Sequence, residues 1–337
     1  MTQTDKIPAK KKLTTVVYLL ISMIVGILAL WYCFRNIKFD EFIEDLKSVN
    51  YFYIGLSISF GFFAFIIRAL RWNILINTLG YKPSVYDSYN AVVVAYISNL
   101  AIPRIGEITR CATLYKTNKI PVTSLFGTVV TERVIDLISL IVITTLVFLL
   151  KMDFVVKNIV PQWESMLQKT STGMLLLLAV AAIVFAIVVY IVIKQLLKRP
   201  SMHKFKEMFD GLLEGLKSVF KMQKKFHFIG YTVVIWTCYW LNSYLVMLAL
   251  PSTASLTAID GLLLMVLGSM GWVIPVPGGV GVFHSIVAWG LMMYGLDFEQ
   301  GVIFATLSHE SQLLMMVFFG IIALISVSLT QNKLNQK

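Results

Sequence analysis

Long apolar runs alternate along this chain with short polar connections. The runs at about 14–34, 51–78, 122–150, 172–194, 228–250 and 299–329 are each long enough to cross a bilayer as a helix. Between the first two, Phe42, Ile43, Leu46 and Val49 share one helical face, with Glu41, Glu44, Asp45 and Lys47 elsewhere. That pattern predicts a short amphipathic helix over 37–50, lying on the interface. Residues 203–226 repeat it: Phe205, Met208, Phe209, Leu212, Leu213, Leu216, Val219 and Phe220 recur at helical spacing, with lysines on the other side. Two further apolar stretches, about 84–118 and 256–296, are interrupted. The first breaks at Asn99-Leu100-Ala101-Ile102-Pro103-Arg104-Ile105-Gly106-Glu107, the second at Pro275-Val276-Pro277-Gly278-Gly279-Val280-Gly281. Each reads as a re-entrant hairpin, because a broken helix frees backbone groups that lipid cannot satisfy.

Each half of the chain therefore reads helix, amphipathic helix, helix, broken hairpin, helix. Three spans per half is an odd number, so the halves, about 14–150 and 172–329, are predicted to be inverted relative to each other. The charges fit that topology. The N-terminal lysines, Arg68, Arg71, Lys82, Arg110, Lys116, Lys119, the basic run from Lys194 to Lys225, Lys333 and Lys337 all fall on one side. By the positive-inside rule that side is cytoplasmic. The expected fold class is an all-α polytopic membrane protein of about six spanning helices plus two broken hairpins. It forms a single transmembrane domain over 14–329, between cytoplasmic tails 1–13 and 330–337, in the cytoplasmic membrane.

Composition narrows the function. Of the 337 residues, 58% are hydrophobic and 14% charged, against about 25% charged in soluble domains. No stretch is polar and long enough for a separate soluble enzyme domain. The net charge of +11 sits mainly in short loops, where it sets topology and meets anionic lipid heads rather than nucleic acid. Cys33, Cys111 and Cys238 are far apart and lack metal-ligand spacing. The N-terminal apolar run is too long for a cleaved signal and reads as the first helix. No P-loop and no Ser-His-Asp arrangement occurs, so no catalytic residue and no cofactor is assigned, and enzymatic activity is not the favoured reading.

Charges at bilayer depth are costly and usually functional. The helix at 122–150 carries Glu132, Arg133 and Asp136; the helix at 299–329 carries His309 and Glu310. Glu107 follows the first break and His284 the second, so each half places a polar residue after its break and a polar cluster about one hairpin further on. The two clusters are expected either to face each other along a polar path or to lock their helices together as an ion-pair network. His309-Glu310 is not a zinc-protease motif, since position 314 is Leu, and no metal is expected. His284 and His309 are candidate proton carriers. Arg104 and Arg110 beside a half-helix N-terminus suit a phosphate, and Pro277, Gly278, Gly279 and Gly281 permit close backbone approach to a ligand.

At these residues the chain resembles a known family. The motifs are Asn99 with Ile102-Pro103-Arg104-Ile105-Gly106-Glu107 and Arg110; Thr131-Glu132-Arg133-Val134-Ile135-Asp136; and Pro275-Val276-Pro277-Gly278-Gly279-Val280-Gly281-Val282-Phe283. They are similar to the signature of the lysylphosphatidylglycerol synthase transmembrane-region family, a flippase-like domain. The Arg68-x-x-Arg71-Trp72 run also looks familiar. Ile105 replaces a glycine of the common pattern, and His284 stands where many members carry Glu. No aminoacyl-transferase stretch is present, so the resemblance implies lipid translocation and not lysyl transfer. The expected partner is a membrane lipid with an anionic headgroup, a modified phospholipid or a polyprenyl-phosphate-linked glycan. The alternatives are a membrane enzyme acting on lipid-linked substrates, and an accessory subunit presenting lipid to a separate synthase or glycosyltransferase.

Overall fold

The computed structural model describes residues 9–158, 161 and 223–336. Its elements there are helical: α1 (Ala9–Phe34), α2 (Phe39–Ser48), α3 (Tyr51–Thr78), α4 (Val85–Ala101), α5 (Gly106–Asn118), α6 (Val122–Leu150), α7 (Met152–Asn158), α8 (Lys225–Ala249), α9 (Ala258–Val273), a 3₁₀ turn at Pro277–Gly279, α10 (Val282–Met292) and α11 (Phe298–Asn335). Four of these, α3, α6, α8 and α11, are long and apolar enough to cross a membrane. The chain is an all-α polytopic membrane protein. The span read at 172–194 and most of the amphipathic segment at 203–226 lie outside the described residues. The connection expected after 150 begins with the short helix α7.

The chain divides into two compact units, one of residues 1–132 with 224–337, the other of residues 133–223. The first unit holds both hairpins. Its spine is the antiparallel pair α3 and α8. Ser57 donates to the Asn242 carbonyl at 3.0 Å, and the Asn242 amide donates back to the Ser57 carbonyl at 3.0 Å. At one end of the pair Asn50 N–H donates to the Ala249 carbonyl, and the Asn50 side chain caps α3 by accepting from Phe52 N–H.

The hairpin α4–α5 opens at the Thr78 end of α3. Asn73 of α3 donates to the Pro83 carbonyl and accepts from Ser88, and Ser84 caps α4 by accepting from Asp87 N–H. The hairpin α9–α10 opens at the opposite end. There the Thr257–Asp260 capping box starts α9, and Tyr294, just past α10, donates to Asp260 Oδ1 at 2.6 Å. Helix α11 runs past both. Gly301 packs on Ala288 of α10, Gly61 of α3 meets Met315, and Gly320 packs on Ile97 of α4. Ser326 then accepts from Asn90. The hairpins thus approach from opposite ends of α3, and their tips meet beside α11.

Candidate functional site

Proline ends α4. The residue before a proline is driven from helical to extended backbone, and Ile102, before Pro103, is extended at φ −135°, ψ 118°. Arg104 then takes the left-handed conformation at φ 64°, a strained choice for a residue with a side chain. Gly106 N–H donates to Asn99 Oδ1 at 2.7 Å. Its missing side chain is required, because a Cβ there would run into Asn99 and the Ala95 carbonyl. Exposed Arg104 donates from Nη2 to the Val273 carbonyl, the last residue of α9, at 3.1 Å. The two breaks are therefore joined across their tips.

The second break is built on glycine. Gly278, Gly279 and Gly281 have φ of 61°, 70° and 80°, which side-chain-bearing residues rarely adopt. Gly281 also lies against α1, where a Cβ would come within 2.7 Å of Ala29 Cβ and the Gly26 carbonyl. Two histidines fasten the turn. His309 of α11 hydrogen-bonds the Gly278 carbonyl through Nε2 at 2.7 Å, and His284 of α10 accepts from Gly281 N–H through Nδ1 at 3.3 Å. Glu310 Oε1 lies 3.0 Å from His309 Nδ1 and 3.7 Å from His284 Nε2. Trp272 stacks on the His309 ring at 5.3 Å between centroids. Both imidazoles are buried, whereas the Glu310 side chain is 43% exposed.

A second polar cluster sits between α3, α5 and the start of α6. Arg71 Nε donates to Glu132 Oε1 at 3.3 Å, and Arg110 Nη2 pairs with Glu132 Oε2. Arg71 also donates to Thr232 Oγ1 at 3.2 Å. The Arg110 guanidinium lies 4.3 Å from the Trp72 ring centre, and Trp72 is pinned by donating to Thr128 Oγ1 at 2.8 Å. Arg71, Glu132 and Trp72 are sealed from solvent. Glu107 approaches Arg110 Nε at 3.9 Å.

The proposed site residues thus divide into separate groups. Arg110, read from sequence as a phosphate ligand beside Arg104, is instead turned to Glu132. The α5 N-terminus, expected to attract an anion, is occupied from within: Asn99 takes Gly106 N–H, the Ile105 carbonyl takes Ile108 and Thr109 N–H, and acidic Glu107 stands in the first turn. Glu132 is bound to the arginines of α3 and α5, and Glu310 to the histidines of α11 and α10. Arg133 and Asp136 lie on the part of α6 that belongs to the second unit. Pro277, Gly278, Gly279 and Gly281 form the tip of the second hairpin. Arg71, Trp72 and Asn99 carry more of the arrangement than sequence reasoning gave them; an arginine pair with tryptophan in the middle of an apolar run was the available signal for the first two.

No solved structure matches the chain. A UPF0104 membrane protein of Methanocaldococcus jannaschii is 32% identical over 130 residues, which are 38% of this chain and 38% of that protein. The matched part therefore spans well under half of the relative's length. The description "Lysylphosphatidylglycerol synthase TM region" fits residues 19–320, a range that takes in both hairpins, the arginine cluster and the histidine pair. With nearly all of its length so matched, the chain belongs to the lysylphosphatidylglycerol synthase transmembrane-region family.

Proposed function

We propose that this protein moves an anionic lipid across the membrane, with the headgroup passing the junction of the two hairpin tips. The observation that carries this reading is Arg104. It is exposed, it is held at the first break, and it reaches the carbonyl that ends α9 at the second. A cation whose hydrogen bond is to a neutral carbonyl can exchange that partner for a phosphate, to which a guanidinium binds more strongly. Two broken helices meeting at their tips is the arrangement that forms substrate sites near the midplane of transporters. On this reading the halves are inverted copies, the acyl chains stay in the bilayer, and the junction opens sideways to lipid. A flippase-type activity is also what the family resemblance implies.

The test is movement of fluorescent phosphatidylglycerol in vesicles containing the purified protein, read by the fraction of probe a membrane-impermeant quencher can reach. Arg104→Gln should slow movement at least tenfold while the protein remains folded. Equal rates in the two proteins would remove Arg104 from the path and sink this reading. Accumulation of a covalently altered lipid would assign an enzyme instead.

A further inference from the structure

The hydrogen bonds around His309 count protons. A carbonyl oxygen only accepts, so the ring nitrogen facing Gly278, His309 Nε2, carries a hydrogen. A backbone N–H only donates, so His284 Nδ1, which faces Gly281 N–H, carries none. The hydrogen of a neutral His284 then lies on Nε2, the nitrogen 3.7 Å from Glu310 Oε1. One contact remains, His309 Nδ1 to Glu310 Oε1 at 3.0 Å. A neutral His309 would present a bare lone pair there to an ionised carboxylate. The observed separation requires one more proton, on Nδ1 or on Oε1. We propose that His309 and Glu310 form a proton-binding site that fastens the second break to α11, and that loss of the proton releases it.

The surroundings favour this. The His309 ring is fully buried between Trp272 and Phe283, so it has no room to turn from the carboxylate. Glu310 is part open and supplies the route by which the proton arrives and leaves. When the proton goes, Glu310 swings outward or the ring gives up Gly278. Either movement slackens a turn whose glycines already sit at positive φ.

From the first break, Arg104 reaches the Val273 carbonyl, one residue along from Trp272. From α10 the facing group is His284. From α1, Cys33 reaches the Gly281 carbonyl at 3.8 Å and Ser285 Oγ at 3.2 Å. From α9, Asp260 is bound to Thr257 and Tyr294 at the far end of the hairpin. Arg68 and Arg71 of α3 meet Tyr239 of α8 and Glu132. Asp87 of α4 meets Asn118 of α5, and Glu107 meets Arg110. On α11 itself, Glu299 and Lys333 are several turns away.

The ligand atoms of His284, His309 and Glu310 also lie within 4.8 Å of one another, a spacing that suits a divalent cation. To ligate through Nε2, however, His284 must move its hydrogen to Nδ1, where it would point at Gly281 N–H. The backbone of the break therefore holds His284 in the wrong tautomer for a metal.

The proposal concerns the proton alone and stands whichever molecule crosses at the junction. The chain has four histidines, few enough for ¹⁵N-histidine NMR of the whole protein in lipid nanodiscs. His309→Gln identifies the His309 signals. Expected is a ring protonated at Nε2 throughout, whose Nδ1 signal moves toward the bare-nitrogen position as the pH is raised. Glu310→Gln, which satisfies Nδ1 with an amide donor, should leave a well-folded protein whose His309 stays in the neutral Nε2–H form with that transition abolished. Three results would overturn the proposal: a His309 signal that never changes, a transition unaltered in Glu310→Gln, or micromolar Zn²⁺ shifting the His284 and His309 signals together. The last would make it a metal site.

Discussion

The two buried polar clusters of the first unit differ in how they are closed. Arg71, Arg110 and Glu132 bring two fixed positive charges and one fixed negative charge into a sealed space roofed by Trp72. His284, His309 and Glu310 bring two imidazoles and a carboxylate around a glycine turn, and the carboxylate opens outward. The sealed cluster is held by charge, since Glu132 is the carboxylate shared by two buried guanidiniums. The open cluster is held by backbone, because its histidines bond the carbonyl and N–H of a glycine turn. One cluster is built to stay as it is and the other to exchange what it holds.

The sharpest way to break this contrast is to discharge the sealed cluster. Glu132→Ala leaves two buried guanidiniums without their carboxylate and is expected to destabilise the protein by about 3–5 kcal/mol, seen as a lowered unfolding temperature in detergent. A fully apolar replacement, Arg71→Met with Arg110→Met and Glu132→Leu, should recover most of that loss. If Glu132→Ala unfolds at the same temperature as the native protein, charge does not hold this cluster.

Next is the backbone of the open cluster. Gly281→Ala adds a Cβ within 2.7 Å of Ala29 and the Gly26 carbonyl at φ 80°, combining left-handed strain with overpacking. A cost of about 2–4 kcal/mol follows, measurable by the same melt. Glu310→Gln should change stability by less than about 1 kcal/mol, because a part-open group is partly solvated and its pairing is worth little. A cost as large as that of Glu132→Ala would erase the distinction between the clusters. Smallest is Arg104→Gly. It relieves the positive φ but loses the hydrogen bond to Val273, so stability should stay within about 1 kcal/mol while the vesicle assay shows slowed lipid movement.

Much of the scaffold was legible because bilayer helices announce themselves locally. The run 51–78 became α3 at those limits, and the breaks at Pro103 and at Pro275 to Gly281 fell where prolines and positive-φ glycines place them. Pairings between helices were not legible. Glu132 was set against Glu310 by analogy of position, but its partners lie 61 residues back at Arg71 and 22 back at Arg110. Which arginine turns to a buried acid depends on how α3, α5 and α6 pack, and no local pattern encodes that. Arg110 looked like a phosphate ligand because it follows a break by one helical turn. The rotation of α5, set by Gly106 against Asn99, carries it to Glu132 instead.

Helix α11 touches the second hairpin through Gly301, against the backbone of Ala288, and the first through Gly320, against the side chain of Ile97. A Cβ would stand 2.7 Å from Ala288 Cα at the one and 2.8 Å from Ile97 Cβ at the other. Those glycines lie roughly 28 Å apart along an ideal helix. The helix is thus a ruler laid across both hairpins, with graduations set where a missing side chain on α11 lets a neighbour come close. A lengthwise slip of this ruler would be felt at both tips at once and by the same amount, which makes α11 the part to label when looking for motion.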